Sequence, residues 1–506
     1  MTFQQLLDGA EVLAQSGDPG VSSVEYDSRR VKPGCAFVAM KGETSDGNRF
    51  IDQAIAAGAV AVVTDSSSQN PREGVAWAVV PHGRRALSRL SANFYKRPAE
   101  RIAVTGITGT NGKSTTAFLL ESILTAAARK SALIGTIEYH VAGKALPAPH
   151  TTPEALELNR IFNQALAQGA TDVVMEVSSH ALAQERVFAI PFDVAVFTNL
   201  TRDHLDYHRT MDEYFAAKRV LFEGCGTDPP RVAVTNVDDE YGTKLAEFSR
   251  KRSALVLQYG WERGDFHAHK PEITPRGTRF DLVTPQEKIP VFSSLIGRVN
   301  VYNILASASA AYARNCGAEA IATGVEKLAC VPGRFQRVDC RQPFTLVVDY
   351  AHTDDALRNL TALARDLVSH GGGAKGRVLT LFGCGGDRDR AKRPLMGEAA
   401  GRGSDFLVLT SDNPRSEDPI AIINDALVGV QKTGVKYAVE PDRRKAIALA
   451  ISEARPGDIV LLAGKGHEKV QVTRDAALPF DDVEVARELL RAAGFECDSA
   501  TAGVAG

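Results

Sequence analysis

The chain has 506 residues, 44% hydrophobic and 24% charged, and its 59 Lys and Arg against 61 Asp and Glu leave a formal net charge of −2. That length exceeds what one core serves and points to three domains; near-neutrality gives no polycationic footprint for nucleic acid, and no apolar run approaches the roughly 20 residues of a membrane span. Residues 1–8 carry neither a basic start nor an apolar signal core, so a cytoplasmic location is expected, and the cysteines (35, 225, 316, 330, 340, 384, 497) are odd in number without metal-ligand spacing and read as reduced.

Residues 21–98 hold β-like runs at Cys35–Met40 and Ala59–Val63 with a helical stretch at Phe50–Ala57, as in a small α/β domain. From Arg101 to about Gly333, strands such as Asp172–Glu176, Val194–Phe197 and Val232–Asn236 alternate with helical patterns, the signature of a mostly parallel sheet covered by helices. Beyond Pro332-Gly333 the alternation restarts at Leu346–Asp349, Arg377–Phe382, Phe406–Thr410 and Asp458–Ala463, a third, Rossmann-like α/β unit. Domains are therefore expected at 1–100, 101–333 and 334–497, with a disordered tail at 498–506.

Between the apolar run 101–105 and the helical pattern 116–124 lies Gly109-Thr110-Asn111-Gly112-Lys113-Ser114-Thr115. A strand entering a glycine-rich turn that opens a helix is a cradle for polyphosphate: backbone N–H groups and the helix dipole converge there, and Lys113 adds a full charge. It is a variant loop, because Ile107 occupies the position where the ordinary motif has Gly.

Glu176 ends an apolar strand and is a candidate Mg²⁺ ligand together with a hydroxyl of Ser114 or Thr115; the alternative is a carboxylate capping the next helix. The loop 198–208 packs two His and two Asp into eleven residues, either a solvated polar loop or a second cation site built on His204 with Asn199 and Asp203 orienting it. Lys218, on the amphipathic stretch 211–222, reads by composition alone as a surface lysine.

In the third unit, four strands run into polar loops at 349–352, 383–388, 411–415 and 464–468, which at one sheet edge form a shared site. Arg388 and Arg415 suit a carboxylate, Asp412 and Glu468 an ammonium group, and an amino acid satisfies both.

With these residues in view the chain resembles the Mur ligase family over nearly its full length, and within it the enzymes that add the third amino acid. The resemblance rests on Asp27-Ser28-Arg29, Gly109–Thr115, Thr151-Thr152-Pro153, Glu176–His180, Asn199–His204, Asp349–His352, Asp412-Asn413-Pro414-Arg415 and Gly464–Glu468, all in family order. It implies ATP-dependent amide ligation in peptidoglycan precursor synthesis, by a monomer, with UDP-N-acetylmuramoyl-L-alanyl-D-glutamate and an amino acid as substrates.

By the same resemblance two Mg²⁺ ions are implied, the first on Glu176 with Ser114 or Thr115, the second on His204 and a CO2-derived carbamate of Lys218. Lys113 would be catalytic. Asn300, Asn303, Arg334 and Asp349 would join Gly109–Thr115 around the nucleotide. Tyr26, Ser28, Glu43, Thr44, Ser45, His150, Thr151, Thr152, Ser178, Gln184 and Arg186 would hold the UDP-muramoyl dipeptide. Asp412-Asn413-Pro414-Arg415 accompanies meso-diaminopimelate addition in this family, with Arg388, Gly464 and Glu468 completing that site. Alternatives are an L-lysine-adding sibling, a folylpolyglutamate synthetase-like ligase, or a nucleotide-binding protein without catalysis. One departure is Asp354 where the family usually has proline, which adds negative charge near the expected nucleotide.

Overall fold

A computed structural model describes residues 1–497 except 43, 44, 142, 253, 275 and 371–375, and His370 in its backbone only. Glu43, Thr44 and the tail 498–506 thus lie outside the described residues. Among the described residues no helix is long and apolar enough to cross a membrane.

Three sheets follow one another along the chain. The first has five strands in the order Ala14–Ser16, Ala76–Val79, Ala59–Thr64, Cys35–Ala39, Ser23–Glu25, parallel except for the first. Helix Gly83–Phe94 lies on one of its faces and buries Ala86, Leu87 and Leu90, in a cluster that Leu156 of the next unit also joins.

The second sheet has eleven strands. Its middle is parallel, running from Phe266–Thr274 through Leu255–Gly260, Val232–Asn236, Val194–Phe197, Ala103–Thr108 and Asp172–Glu176 to Ser131–Ile134. Antiparallel strands at 277–293 and 138–147 extend the two edges. Central strands such as Val232–Asn236 are buried on both faces: Val232 and Val234 pack with Leu120 and Ile304 on one side, Ala233 with Phe222 and Leu245 on the other. This is why they read as continuous apolar runs without alternation.

The third sheet orders Gln336–Val338, Thr345–Asp349, Ile459–Ala463, Val378–Phe382, Phe406–Leu409 and Lys436–Val439, parallel except for the first strand. A short hairpin, Val470–Val472 with Ala477–Pro479, stands beside it. The carboxyl ends of four adjacent parallel strands therefore bring loops 349–352, 464–468, 383–388 and 411–415 to one edge.

The cysteines are not all reduced. Cys340 and Cys497 form a disulfide tying the chain beyond helix Asp482–Ala492 to the segment between strands Gln336–Val338 and Thr345–Asp349, whereas Cys35, Cys225, Cys316, Cys330 and Cys384 are free. A pair 157 residues apart leaves no local spacing signal to read.

Candidate active site

The loop between strand Ala103–Thr108 and helix Lys113–Ala126 is clamped from two sides. Gly109 (φ 146°) and Gly112 (φ 86°) sit where a Cβ would come within 1.9 Å of Thr198 Oγ1 and 2.4 Å of Asn303 Oδ1, so only glycine fits. Thr110 N–H donates to the Asn199 carbonyl at 2.8 Å and Asn111 N–H to Asn199 Oδ1 at 3.0 Å, which fixes the loop to the segment after the neighbouring strand. Lys113 Nζ turns back onto the carbonyls of Gly109 (3.0 Å) and Thr110 (2.9 Å). Burial lowers its pKa, against the pull of Glu176. Ser114 and Thr115 are buried on the first helical turn, and Ser114 Oγ receives Arg334 Nη2 at 3.2 Å.

Lys218 is not a surface residue. It is buried on helix Met211–Glu223, donates to the Gly109 carbonyl at 2.9 Å and lies 4.5 Å from the centre of the Tyr214 ring. Burial, reinforced by the charge of Lys113, holds its pKa well below the ordinary lysine value. Composition could not reveal this, because helix 211–223 is covered by the phosphate loop and the polar loop at 198–208.

In that polar loop His204 has a left-handed backbone (φ 55°) and its Nε2 stands 3.4 Å from Asp203 Oδ2. Burial keeps the imidazole neutral, and its ring meets His180 edge-on at 4.8 Å. Burial opposes the charge on Asp203, but His204, His352 and Lys392 outweigh it and hold the carboxyl low. His208 Nε2 is 2.9 Å from Ser179 Oγ, and burial lowers its pKa to about 4.

Glu176 is buried and held on both oxygens by a residue that sequence reading missed. Thr136 N–H donates to Oε1 at 2.8 Å and the Thr136 hydroxyl to Oε2 at 3.0 Å. A Cβ at Gly135 would sit 2.4 Å from Oε1, so the preceding glycine is what lets the carboxylate approach. The Thr136 hydroxyl also lies 3.0 Å from Thr151 Oγ1, and the Thr152 hydroxyl donates to the Glu176 carbonyl at 2.8 Å. Arg186 donates to Gln184 Oε1 and to the Thr152 carbonyl and pairs with Glu154 at 3.0 Å. Ser178 caps the helix that follows, through Ala181 N–H. Thr151, Thr152, Ser178, Gln184 and Arg186 thus form one network around Glu176.

The remaining candidates on that side are more scattered. Tyr26 donates to Glu157 Oε2 at 3.2 Å, Ser28 Oγ to Gln53 Oε1 at 3.2 Å, and the Ser45 carbonyl accepts Gly42 N–H. His150 is exposed and engages Tyr139 through its carbonyl.

A cleft of about 370 Å³ opens between the phosphate loop and the third sheet, lined among others by Asn111, Ser114, Asn300, Asn303, Arg334 and Asp349. Asn303 Nδ2 donates to Asn300 Oδ1 at 3.1 Å, and the Arg334 guanidinium lies 4.8 Å over the Tyr350 ring. Asp349 accepts the N–H groups of Phe335 (2.7 Å) and Ala351 (2.8 Å), while burial raises its pKa. Asn111 Nδ2 donates to Asp355 Oδ2 at 3.2 Å, so the two halves already touch across the cleft. The charge of Asp354 does not disturb this loop: it sits in the first turn of helix Asp354–His370 and pairs with Arg358 at 3.3 Å, where the helix dipole favours an anion.

At the edge of the third sheet, a Cβ at Gly385 would lie 3.0 Å from Arg415 Nη1 and 3.7 Å from Arg388 Cγ, so the two guanidinium-bearing chains flank one glycine. Arg415 takes a left-handed backbone (φ 52°), donates to the Gly386 carbonyl at 2.7 Å, and has its pKa lowered by burial and by Arg388. Asn413 Nδ2 donates to Glu468 Oε2 at 2.7 Å. Asp412 lies beside Gly464, whose Cβ would meet its Oδ2 at 2.7 Å, and 4.0 Å from Arg443 Nη1. Arg443 itself is buried in a two-bond pair with Asp482 (2.8 and 2.6 Å). Sequence reading did not single out Arg443, Asp482 or Lys465: Arg443 and Asp482 pair across the first turns of two helices, and Lys465 gains Asn413 from a loop 52 residues away.

A phosphate cradle, a buried acid and imidazole near it, and a facing sheet whose carboxyl edge carries arginines and carboxylates are the parts of an ATP-dependent ligase. The family comparisons agree. Residues 20–95 match the Mur ligase family catalytic domain, 107–311 the Mur ligase middle domain, and 333–466 the Mur ligase glutamate ligase domain. The chain belongs to the Mur ligase family. A relative from Solibacter usitatus (strain Ellin6076) is 54% identical over 94% of both chains, and one from Geobacter metallireducens is 45% identical over 95% of this chain and 97% of its own. Both are named UDP-N-acetylmuramoyl-L-alanyl-D-glutamate–2,6-diaminopimelate ligase. A solved structure of that name superposes with a TM-score of 0.68 at 33% identity, covering 98% of this chain and 99% of its own. Mycobacterium tuberculosis folylpolyglutamate synthase complexed with ADP and AMPPCP, at 17% identity and a TM-score of 0.62, shares the fold.

Proposed function

We propose that this protein is an ATP-dependent ligase that joins meso-2,6-diaminopimelate to UDP-N-acetylmuramoyl-L-alanyl-D-glutamate, working as a monomer in cytoplasmic peptidoglycan precursor synthesis. The names of its relatives support the reaction. The observation that carries it is that loop 349–352, at the carboxyl edge of the third sheet, lines the cleft opposite the phosphate cradle, while Arg415, Arg388 and Glu468 stand on the neighbouring loops of that same edge. Residues 1–100 bind the UDP-linked substrate, 101–333 ATP, and 334–497 the amino acid.

A carboxylate is a poor acyl donor until one of its oxygens carries phosphate. The dipeptide carboxylate attacks the γ-phosphorus of ATP, ADP leaves, and the amine of diaminopimelate then attacks the acyl phosphate carbon. Phosphate departs with the C–O bond, and the nitrogen gives up its proton. Charge gathers on the transferring phosphoryl group in the first step and on the carbonyl oxygen in the second. Lys113 leaves the two loop carbonyls to meet that charge. Arg186, in the network around Glu176, pairs with a substrate carboxylate, while Thr151, Thr152, Ser178 and Gln184 orient the peptide.

The donor set fits Mg²⁺. Glu176 uses one lone pair on each oxygen for Thr136 and keeps others, Ser114 and Thr115 offer hydroxyls, and His204 is neutral. Lys218 is a buried amine whose charge is disfavoured by burial and by neighbouring Lys113, which outweigh the pull of Asp203. Its neutral nitrogen adds to CO2 with loss of a proton, giving a carbamate whose anionic oxygens suit a second ion. Bound Mg²⁺ supplies charge stabilisation to the transferring phosphoryl group.

The test is the product mass after incubation with ATP, Mg²⁺, the UDP-muramoyl dipeptide and equal meso-diaminopimelate and L-lysine. A diaminopimelate adduct is expected; a lysine adduct overturns the assigned selectivity, and no adduct with no ATP consumed overturns the ligase reading.

A further inference from the structure

Lys465 follows Gly464 at the end of strand Ile459–Ala463, and its side chain is fully buried. A buried ammonium is costly unless its protons are matched by acceptors. Here three converge on Nζ: Asn413 Oδ1 at 3.2 Å, Glu468 Oε2 at 3.2 Å and the Val470 carbonyl at 2.6 Å. These belong to three separate pieces of chain, namely the loop after strand Phe406–Leu409, the turn after Lys465 itself, and the hairpin Val470–Val472/Ala477–Pro479.

The hairpin is stitched to the same loop from its other side. Val472 N–H donates to Asn413 Oδ1 at 2.9 Å, Gln471 Nε2 to the Asp412 carbonyl at 2.8 Å, and Arg415 N–H to the Val472 carbonyl at 3.0 Å. Asn413 Nδ2 and Lys465 Nζ both reach Glu468 Oε2. Two donors on one oxygen turn the carboxylate so that Oε1 is left to an incoming ligand.

We propose that Lys465 is a positioning residue of the amino-acid site: it orients Glu468 and Asn413 and locks the 470–479 hairpin against the Asp412–Arg415 loop. This rests on the reading of that edge as the site for the amino acid. The ligand it serves carries an ammonium group for Glu468 beside a carboxylate for Arg415. Lys465 never touches the ligand.

The test is steady-state kinetics of the full-length enzyme with each substrate varied in turn, with calorimetric binding of meso-diaminopimelate alongside. Lys465→Met should raise the KM and Kd for diaminopimelate by about tenfold to a hundredfold, the worth of charge-assisted hydrogen bonds. The KM values for ATP and the UDP-muramoyl dipeptide should stay within about twofold. In a Glu468→Gln background the same substitution should add less than about twofold, because the two act as a unit. Should Lys465→Met not fold, Lys465→Gln, whose amide satisfies fewer of the acceptors, gives the same comparison. An unchanged diaminopimelate KM, a uniform rise across all substrates, or full additivity with Glu468→Gln overturns the proposal. If Glu468→Gln alone leaves the diaminopimelate KM unchanged, the reading of the edge itself falls.

Discussion

Lys218 and Lys113 meet at one atom: the Gly109 carbonyl oxygen receives Nζ of the first at 2.9 Å and of the second at 3.0 Å. Two buried ammonium groups on one neutral acceptor would repel each other strongly in a low-dielectric interior. Both pKa values are lowered, Lys218 most, with Lys113 among its causes. The proposed conversion of Lys218 to an anionic carbamate would remove the repulsion and leave Lys113 as the cation to meet phosphate.

Lys218→Ala should therefore lower kcat by about a hundredfold or more, as expected for loss of a group that stabilises transferring charge. Lys218→Arg, which keeps the cation but cannot form the carbamate, should be equally impaired. Activity of the wild-type enzyme stripped of CO2 should recover when bicarbonate is added back. Retention of near-normal kcat by Lys218→Arg would contradict the carbamate role.

Much of this architecture was legible in the sequence. The phosphate loop could be read because its chemistry is local, with strand, glycines, lysine and helix lying within about twenty-five residues. The four loops of the third unit could be placed at one edge because parallel strands force their carboxyl ends to the same side. Thr136, Lys465 and the Arg443–Asp482 pair were not readable, since each acquires its meaning from partners brought in by long-range packing. Lys218 shows the limit most clearly: its helix has an ordinary amphipathic pattern, and it is the distant phosphate loop, through the Gly109 carbonyl, that covers the ammonium beside its helix neighbour Tyr214.

Arg415 is half-buried against Arg388 and donates to the Gly386 carbonyl. The crowding of two guanidinium groups is relieved by an anionic ligand, and diaminopimelate differs from lysine by one carboxylate. Arg415→Ala should raise the diaminopimelate KM by about a hundredfold, corresponding to about 3 kcal/mol for one member of a buried ion pair. The lysine-to-diaminopimelate ratio of kcat/KM should rise with it. Competition assays with both amino acids present read this directly, and an unchanged ratio would assign selectivity elsewhere.

Thr136 grips Glu176 by its N–H and its hydroxyl, and only the hydroxyl can be removed by substitution. Thr136→Val keeps the shape and the N–H but frees Oε2. Outer-shell partners of a metal-bound carboxylate are worth about tenfold to a hundredfold in metal affinity. The Mg²⁺ concentration for half-maximal activity should rise by that factor in Thr136→Val and return close to normal in Thr136→Ser. Mn²⁺ binding followed by electron paramagnetic resonance supplies a readout independent of turnover, and identical binding in all three proteins would count against the assignment of Glu176 as a ligand held by Thr136.

His140 sits between two carboxylates, Glu121 Oε2 at 2.7 Å from Nδ1 and Glu138 Oε1 at 2.9 Å from Nε2. Burial works against its charge, but the two partners win and raise its pKa to about 10. A raised folded-state value means stability that is fully present below the unfolded value of about 6.5 and lost as pH climbs through about 10. The same pairing lowers the pKa of Glu138, so its contribution falls away in acid. His140→Gln should thus cost most near pH 6, about 2 kcal/mol after allowance for solvent screening of a partly exposed cluster. The difference from wild type in urea denaturation should shrink steadily from pH 7 to pH 10. A difference independent of pH would mean that ring packing against Phe118, at 5.5 Å, and not the ion pairs, is what His140 contributes.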